Sequence, residues 1–414
     1  MKLKPFISLI LLLVFVAGCM PNSGPARSQS PTINPPDSLI PTSTNAPAVS
    51  PTPLPTVTSL TTNWEESKNC VTEYSQQPEG NQLDGVAVLR SLSSTVISLN
   101  LSLLNLKDGS SRAIDTSNQS VWDVGVSSDG HALAYSWFND TASKWESVLV
   151  DSTGSIQEVA WSSDQEFGFQ GWLNDHQIVI VQDSNYVIVD PYQNSQLRFS
   201  PLDFPDFNLY HSDFFVAFDP LLSRAIYRNG KINTLDLSTN TIIAQIKDGY
   251  DRTPIVSWQP SGERAAVVTT LSSEQNSYIL PDEIFIAEKD GQLKQLTHLY
   301  DTFGFVLTID SLSWSPDGSK IAFWLHDEEG NLTLMVTDYK TGDAINYCIL
   351  NVPTASFPIS IPAPIWSPDG NYLMVENRYV TDMNRVLIVD LTKRIAFPIA
   401  ENANPVGWMV APSQ

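Results

Sequence analysis

The sequence predicts an all-β fold, a seven-bladed β-propeller of four-stranded antiparallel blades, and three observations lead to it. A Trp-Ser-Pro-Asp-Gly motif begins at Trp314 and again at Trp366, and weaker copies recur at intervals of 40 to 56 residues. A strand of alternating apolar residues follows at each of seven corresponding places. A last partial copy, at Trp408, lacks the rest of a blade. Strands and tight turns repeated with this period indicate a propeller.

The motif copies mark the first strand and first turn of the predicted blades. Apolar residues lead into the tryptophan, Pro-Asp-Gly makes a tight turn with glycine in the left-handed conformation, and a second apolar strand follows. In chain order the copies begin at Val126, Trp172, Phe218, Trp258, Trp314 and Trp366. The predicted third strands are residues 101–106, 147–150, 186–189, 232–237, 283–287, 332–336 and 385–389.

The two ends of the repeat region complement each other. The first blade has candidate second, third and fourth strands, at residues 86–90, 101–106 and 112–114, but no motif strand. Residues 405–410 form a motif strand without a blade. Pairing the two would close the ring and remove both sheet edges, so we predict closure by the C-terminal strand.

With these motifs the sequence resembles the WD40-like propellers of the TolB type, over about residues 84–414. The Gly-His pair and the strand-ending Trp-Asp dipeptide of true WD40 repeats are absent. Sialidase Asp-boxes have one residue between Asp and Gly, whereas Asp317 and Gly318 are adjacent. Sialidase activity is therefore not implied.

The N-terminus resembles a bacterial lipoprotein signal. Lys2 and Lys4 precede an apolar run that is too short for a permanent membrane span, and the run ends in Val-Ala-Gly before Cys19. The resemblance implies cleavage after residue 18 and a lipid on Cys19. The alternative is an ordinary secretory signal in which Cys19 is incidental. Both interpretations place the chain outside the cytoplasm, and the first anchors it to the cell envelope.

Residues 21–63 are typical of a tether. They contain 10 Pro, 7 Ser and 8 Thr among 43 residues, and Arg27 and Asp37 are their only charges. Such a segment cannot bury a core. The predicted organisation is a signal peptide at 1–18, a lipidated cysteine with a disordered linker at 19–63, and a propeller at 64–414.

Charge excludes two classes of partner. Without Lys2 and Lys4 of the signal, 21 basic side chains face 45 acidic ones, a net charge of minus 24. Nucleic acid needs clustered positive charge, and peripheral binding to anionic lipid needs it too, so the membrane contact is expected through the lipid alone. The histidines and cysteines show no metal-ligand spacing, and no cofactor or metal is expected. We expect a monomer.

The motif residues have a structural interpretation and a functional one. Trp258, Trp314, Trp366 and Trp408 would fill the wedge between neighbouring blades, the interpretation we favour, or they would bind a ligand. Asp317 and Asp369 are expected to accept hydrogen bonds within their own turns, without a catalytic role.

A candidate binding face lies where loops gather, at the connections between blades and between second and third strands. Either these side chains form a surface for an envelope protein, a peptide or a glycan, or several of the rings only plug the loops. They are Phe204, Phe207, Tyr210, His211, Tyr250, Asp251, Arg252, His298, Tyr300, Asp301, Phe303 and Phe357.

Two classes of function follow. The first is a lipid-anchored binding or scaffolding module that uses this face. The alternative is a propeller enzyme that acts on polysaccharide, because relatives of the TolB type include metal-dependent lyases that hold their metal with several histidines. Only His211 and His298 lie in the candidate loops, with His326 nearby, and a G-x-S-x-G nucleophile elbow is absent. We assign no catalytic residue.

Cys70 and Cys348 could form a disulfide, since an extracytoplasmic compartment permits one. Cys348 lies in a predicted fourth strand, and Cys70 lies in the segment that approaches the ring before the first blade. The bond would staple that segment to the sixth blade. The alternative is two separate buried thiols.

Overall fold

A computed structural model describes residues 64–92, 99–114, 121, 123–207, 214–246, 254–270, 281–303, 308–326, 330–352, 361–378 and 384–411. These residues belong to one compact unit, Ser59–Gln414. The helices are α1 (Trp64–Ser67), α2 (Leu299–Phe303) and a 3₁₀ turn at Pro201–Asp203.

The strands are β1 (Thr72–Glu73), β2 (Val86–Leu92), β3 (Leu99–Asn105), β4 (Ser111–Ala113), β5 (Val124–Val126), β6 (Leu133–Asn139), β7 (Lys144–Val150), β8 (Ile156–Ser163), β9 (Gly168–Trp172), β10 (Ile178–Gln182), β11 (Asn185–Asp190), β12 (Ser195–Phe199), β13 (Phe215–Phe218), β14 (Arg224–Arg228), β15 (Ile232–Asp236), β16 (Thr241–Ile246), β17 (Ile255–Trp258), β18 (Ala265–Thr270), β19 (Asp282–Ala287), β20 (Leu293–Gln295), β21 (Ile309–Trp314), β22 (Lys320–His326), β23 (Leu332–Asp338), β24 (Ala344–Asn351), β25 (Ile365–Trp366), β26 (Tyr372–Arg378), β27 (Asn384–Asp390), β28 (Ile395–Glu401) and β29 (Ala403–Met409).

These strands form seven sheets, each with a four-stranded antiparallel blade, which confirms the predicted propeller. Blade 1 is β29-β2-β3-β4, and blades 2 to 7 take four consecutive strands each, from β5–β8 to β25–β28. At six of the seven junctions, the first strands of neighbouring blades lie side by side around the centre. Every predicted third strand is present, within a few residues at each end. The strand-to-strand turn after the first strand defines the turn face, and the blade-to-blade connections define the loop face.

The core consists of seven apolar clusters, one at each junction between blades. Side chains alternate between the two sides of a strand, so each central strand feeds two clusters. In β22, Ala322 and Trp324 pack toward blade 7, whereas Ile321 and Phe323 pack toward blade 5. Because both sides are buried, these strands carry continuous apolar runs rather than an apolar and polar alternation.

The C-terminal strand closes the ring as predicted. Strand β29 pairs antiparallel with β2, from Met409 opposite Val86 to Ala403 opposite Ser91. The Trp408 side chain is 5% exposed and packs at the junction of blades 7 and 1. Gly407 lies so close to Val126 of blade 2 that a side chain at this position would clash with it. Closure therefore joins three blades.

The N-terminal arm, residues 64–84, runs along the outer edges of blades 6 and 7. Strand β1 adds to blade 7 as a fifth strand, parallel to β28. The backbone N–H of Asn69 donates to the carbonyl of Asn346 in β24 at 2.7 Å. A disulfide joins Cys70 to Cys348, with the two Cα atoms 4.9 Å apart. Arg385 also pairs with Glu73 of the arm, at 2.9 Å.

Reduction of the disulfide is expected to free the arm before the ring unfolds. The arm adds to blades that are complete without it, so its loss leaves every four-stranded sheet intact. The chain-entropy treatment of a loop of 278 residues allows at most about 5.6 kcal/mol for this bond, and local release of the arm makes the global loss smaller.

Hydrogen exchange with and without reductant measures this. We expect amides of residues 69–74 to exchange at least about tenfold faster after reduction, while amides of β22 and β26 keep their protection. Cys348→Ser should reproduce the result without reductant. Simultaneous loss of protection in all blades would contradict a separable arm.

Candidate functional site

A belt of hydrogen bonds explains the motif tryptophans. Each indole N–H donates to the backbone carbonyl of the preceding blade, at the residue just before that blade's own motif position. The bonds run from Trp172 to Gly125 (2.9 Å), from Trp258 to Ala217 (3.1 Å), from Trp314 to Ser257 (2.9 Å) and from Trp366 to Ser313 (3.3 Å). The closing Trp408 donates instead to Asp84, just ahead of β2, at 3.1 Å. The predicted packing between blades is confirmed.

The motif aspartates organise their own turns, as predicted. Asp317 accepts hydrogen bonds from the Ser315 hydroxyl at 2.6 Å and from the backbone N–H of Ser319 at 3.0 Å. The Ser315 hydrogen bond lowers the pKa of Asp317 below its ordinary value. Gly318 follows with φ of +66°, a conformation that side chains disfavour. Asp369 makes the same contacts with Ser367 and Asn371.

The described part of the predicted binding face falls into two groups. One group is at the junction of blades 3 and 4, and the other is at the connection from blade 5 to blade 6. Six predicted residues lie outside the described residues: Tyr210, His211, Tyr250, Asp251, Arg252 and Phe357.

The first group consists of packing residues. Phe204 is 3% exposed, so its ring is not available to a partner. It lies 5.3 Å from the ring of Phe214 and 5.2 Å from that of Tyr227, centroid to centroid. Phe207 packs edge-on against Phe214 at 5.1 Å. Aromatic pairs at such distances stabilise a loop on the body, which is the alternative that the sequence left open.

The second group lies at helix α2 on the loop face, with His298 just before the helix. Its members His298, Tyr300 and Asp301 are exposed, and the Tyr300 side chain is 46% exposed. The His298 Nδ1 and Asp301 Oδ2 atoms lie 4.0 Å apart. Phe303 turns inward, and its ring meets that of Trp64 in the arm edge-on, with centroids 5.0 Å apart. Helix α2 thus carries both exposed side chains and a ring that packs inward against the arm.

Glu283 in β19 holds the start of this helix. Its carboxylate accepts hydrogen bonds from the Thr297 hydroxyl at 2.7 Å and from the backbone N–H groups of Leu299 at 2.9 Å and Tyr300 at 3.0 Å. The residue is 2% exposed. Burial raises the pKa of Glu283 to about 7, although the three donors oppose the shift. The α2 turn therefore rests on a buried carboxyl group.

This carboxyl group makes stability depend on pH. Between its ordinary pKa of 4.5 and about 7, the folded protein holds a proton that the unfolded chain has released. The free energy of unfolding should thus fall as pH rises through this range, by about 3 kcal/mol, and stay level above it. We expect Glu283→Gln to remove most of that fall. Urea unfolding at pH 5 and pH 8 gives the change in unfolding free energy between these pH values. Glu158→Gln, at an exposed position, is the control. The same change in wild type and in Glu283→Gln would contradict the assignment.

A cavity of about 410 Å³ opens on the turn face, at the inner strands of blades 3 to 5. It lies where the belt of indole hydrogen bonds is interrupted. Blade 4 has Phe218 at the motif position, and the side chain of phenylalanine has no N–H group to donate. Its lining includes the rings of Trp172, Tyr186, Phe215, Phe218 and Trp258 and the polar Gln170. The sequence carried a sign of this cavity, because phenylalanine replaces the motif tryptophan in blade 4. The prediction of a site on the loop face did not use this sign.

Neither a metal centre nor a membrane span is found in the part of the chain that is described. Within it, no group of three or more His, Cys, Asp or Glu side chains could hold a metal ion. None of its helices combines the length and apolarity needed to cross a bilayer.

The solved structures that are similar to this chain include β-propellers. No protein-family model matches the sequence, and no curated protein sequence matches significantly. TolB from Acinetobacter baumannii is similar in structure, with 16% identity, a TM-score of 0.43, and coverage of 78% of this chain and 67% of that one. The β-propeller domain of Cps50 (Swd1) from Myceliophteria thermophila has 13% identity, covers 74% and 98%, and gives a TM-score of 0.45. The β-propeller domain of the Trilobed protease from Pyrococcus furiosus has 14% identity, covers 77% and 95%, and gives 0.48.

Proposed function

We propose that this chain is a lipid-anchored, extracytoplasmic binding module that presents its loop face to an envelope protein, a peptide or a glycan. The observation that carries the proposal is the exposed Tyr300 on helix α2, which the buried Glu283 and the Trp64 and Phe303 pair hold in place. An exposed aromatic side chain on a rigid support is the usual centre of a binding surface.

The backbone that carries Tyr300 is held by contacts from two other parts of the chain. A partner that binds a mobile loop must order it, at a cost of about 0.5–1.5 kcal/mol per immobilised side chain. The backbone N–H of Tyr300 already donates a hydrogen bond to Glu283, and Phe303 of the same helix packs against Trp64. The tyrosine offers an apolar ring and a hydroxyl, and His298 and Asp301 beside it add polar contacts.

The N-terminal segments support the envelope location. The signal-like residues 1–18 and Cys19 would place a lipid at the start of the mature chain. The 43 residues from 21 to 63 could then extend to about 130 Å as polyproline II, at about 3.1 Å per residue. Such a tether would let the propeller reach partners well away from the lipid surface.

Site-specific photo-crosslinking tests the binding function. A photoreactive phenylalanine analogue replaces Tyr300 in the full chain, and a matched variant carries it at Leu221. The Leu221 side chain is 69% exposed, but it lies in the turn between β13 and β14, on the opposite face. Mass spectrometry of the adducts then distinguishes a protein, a peptide and a glycan.

We expect a defined adduct from position 300 that position 221 does not form. Equal labelling of many components from both positions would contradict a dedicated loop face. Radiolabelled palmitate incorporation, lost in Cys19→Ser, tests the anchor separately.

A further inference from the structure

The outer edges of the blades are covered unequally. Each fourth strand has one row of backbone N–H and C=O groups without a neighbour in its own blade, and such a row can pair with an added strand. On blade 7 the arm occupies this row, since Thr72 and Glu73 pair with Ile395 and Ala396 of β28. On blade 6 Lys68 bridges to Asn346 in β24. This fold therefore accepts an added strand at its outer edge.

Strand β8 of blade 2 has no such cover among the described residues. It runs from Ile156 to Ser163, eight residues, the same length as β24. Its first four residues are exposed, and the Ile156 and Val159 side chains are 48% and 47% exposed. The pairing of β7 with β8 contains bulges, but so do the pairings of β24 and β28, which carry the arm. Bulges do not prevent strand addition in this protein.

The two sides of β8 differ in chemistry. Ile156 lies opposite Val150 and Val159 lies opposite Val148, so both are on the side that packs toward blade 1. Glu158 lies opposite Leu149, on the other side, toward blade 3. One side of an added strand would thus meet apolar side chains, and the other would meet a carboxylate.

The surroundings of the edge are acidic. The Tyr192 ring is 57% exposed, and besides partial burial the carboxylates of Asp129, Glu158 and Asp190 raise the pKa of Tyr192. Asp164 at the far end of β8 is 83% exposed, with the Lys144 Nζ atom 3.7 Å away. Asp151, in the turn before β8, has the positive charge of Arg112 near it. A second copy of the chain would bring an equally acidic edge, so charge favours a basic partner.

We propose that the outer edge of β8 binds an extended segment of a partner protein in which apolar residues alternate with lysine or arginine. The backbone groups of the segment would pair with β8, its apolar residues would extend the side of Ile156 and Val159, and its basic residues would face Glu158. Eight residues at about 3.3 Å each give an edge of about 26 Å, enough for a segment of five to eight residues. This surface is independent of helix α2 and of the loop face.

The probe is a fluorescent ten-residue peptide that alternates Val with Lys, and fluorescence anisotropy against the full chain measures its binding. A second peptide replaces Lys by Glu, and a third has N-methyl groups at alternate backbone nitrogens. The variant Ile156→Lys/Val159→Lys places charges on the edge, and Leu221→Lys is the matched control because Leu221 is equally apolar and 69% exposed. All three substituted positions are at the surface, and thermal unfolding checks that each variant folds.

We expect the Val-Lys peptide to bind, the Glu and N-methyl peptides to bind at least tenfold more weakly, and the double variant to lose binding at least tenfold while Leu221→Lys retains it. Hydrogen exchange should show new protection at residues 156–163. Equal binding of the N-methyl peptide, protection confined to other strands, or absence of binding would overturn the proposal. So would a dimer, found by light scattering, that the double variant abolishes.

Discussion

A chain that ends at Asn402 is expected not to form a stable ring. The deletion removes β29, the partner of β2, and takes Trp408 and Met409 from the junctions on either side of blade 1. Truncation of such residues to alanine typically costs about 3–5 kcal/mol for Trp and about 2–5 for Met, whereas a whole domain is stable by about 5–15 kcal/mol. The loss of both, with the strand pairing, should leave most of the chain unfolded or aggregated.

Soluble yield and circular dichroism during thermal unfolding measure this effect. A synthetic peptide of residues 400–411, added during refolding, should restore part of the cooperative transition, because it supplies the missing strand β29. The same peptide with Trp408→Ala should restore much less. A truncated chain that unfolds at the wild-type temperature without peptide would show that the ring does not depend on β29.

Trp314→Ala is expected to cost about 3–5 kcal/mol of unfolding free energy. The side chain is 6% exposed at the junction of blades 5 and 6, and its ring lies 5.9 Å from that of Tyr339. The mutation creates a cavity and removes the hydrogen bond to the Ser257 carbonyl. Denaturant unfolding at constant pH measures the loss. A change below about 1 kcal/mol would contradict the packing role.

Two further substitutions separate the hydrogen bond from the packing. Trp314→Phe keeps an aromatic ring but removes the donor, so it should cost less than the alanine substitution. Phe218→Trp supplies the missing donor at blade 4, beside the turn-face cavity, and should stabilise by about 0.5–2 kcal/mol if the indole fills that space. Loss of stability in Phe218→Trp would show that the junction of blades 3 and 4 is already closely packed.

The sequence determined the propeller because its signals are local and repeated. A turn such as Ser315 to Ser319 contains its own hydrogen-bonding partners, and the strand after it buries both sides, so each blade can be recognised from about 45 adjacent residues. Closure could also be predicted, since Trp408 stood as a motif residue without a blade.

The unpredicted features depend on residues far apart in the chain. Thr72 and Glu73 are exposed and too few to indicate a strand, and they pair with β28 more than 300 positions later. Helix α2 depends on Glu283, whose hydrogen-bond partners lie 14 to 17 residues away. The prediction of a binding face grouped aromatic residues by loop, but it could not tell the buried Phe204 from the exposed Tyr300, because only packing decides exposure.

The most direct test of the central claim compares the affinity of the cross-linked partner for three forms of the full chain: wild type, Tyr300→Ala and Leu221→Ala. Isothermal titration calorimetry gives each dissociation constant. If the loop face is the binding surface, Tyr300→Ala should weaken binding at least tenfold, about 1.4 kcal/mol, and Leu221→Ala should leave it unchanged. Unchanged affinity in Tyr300→Ala together with a loss in Leu221→Ala would move the binding site to the turn face and contradict the account.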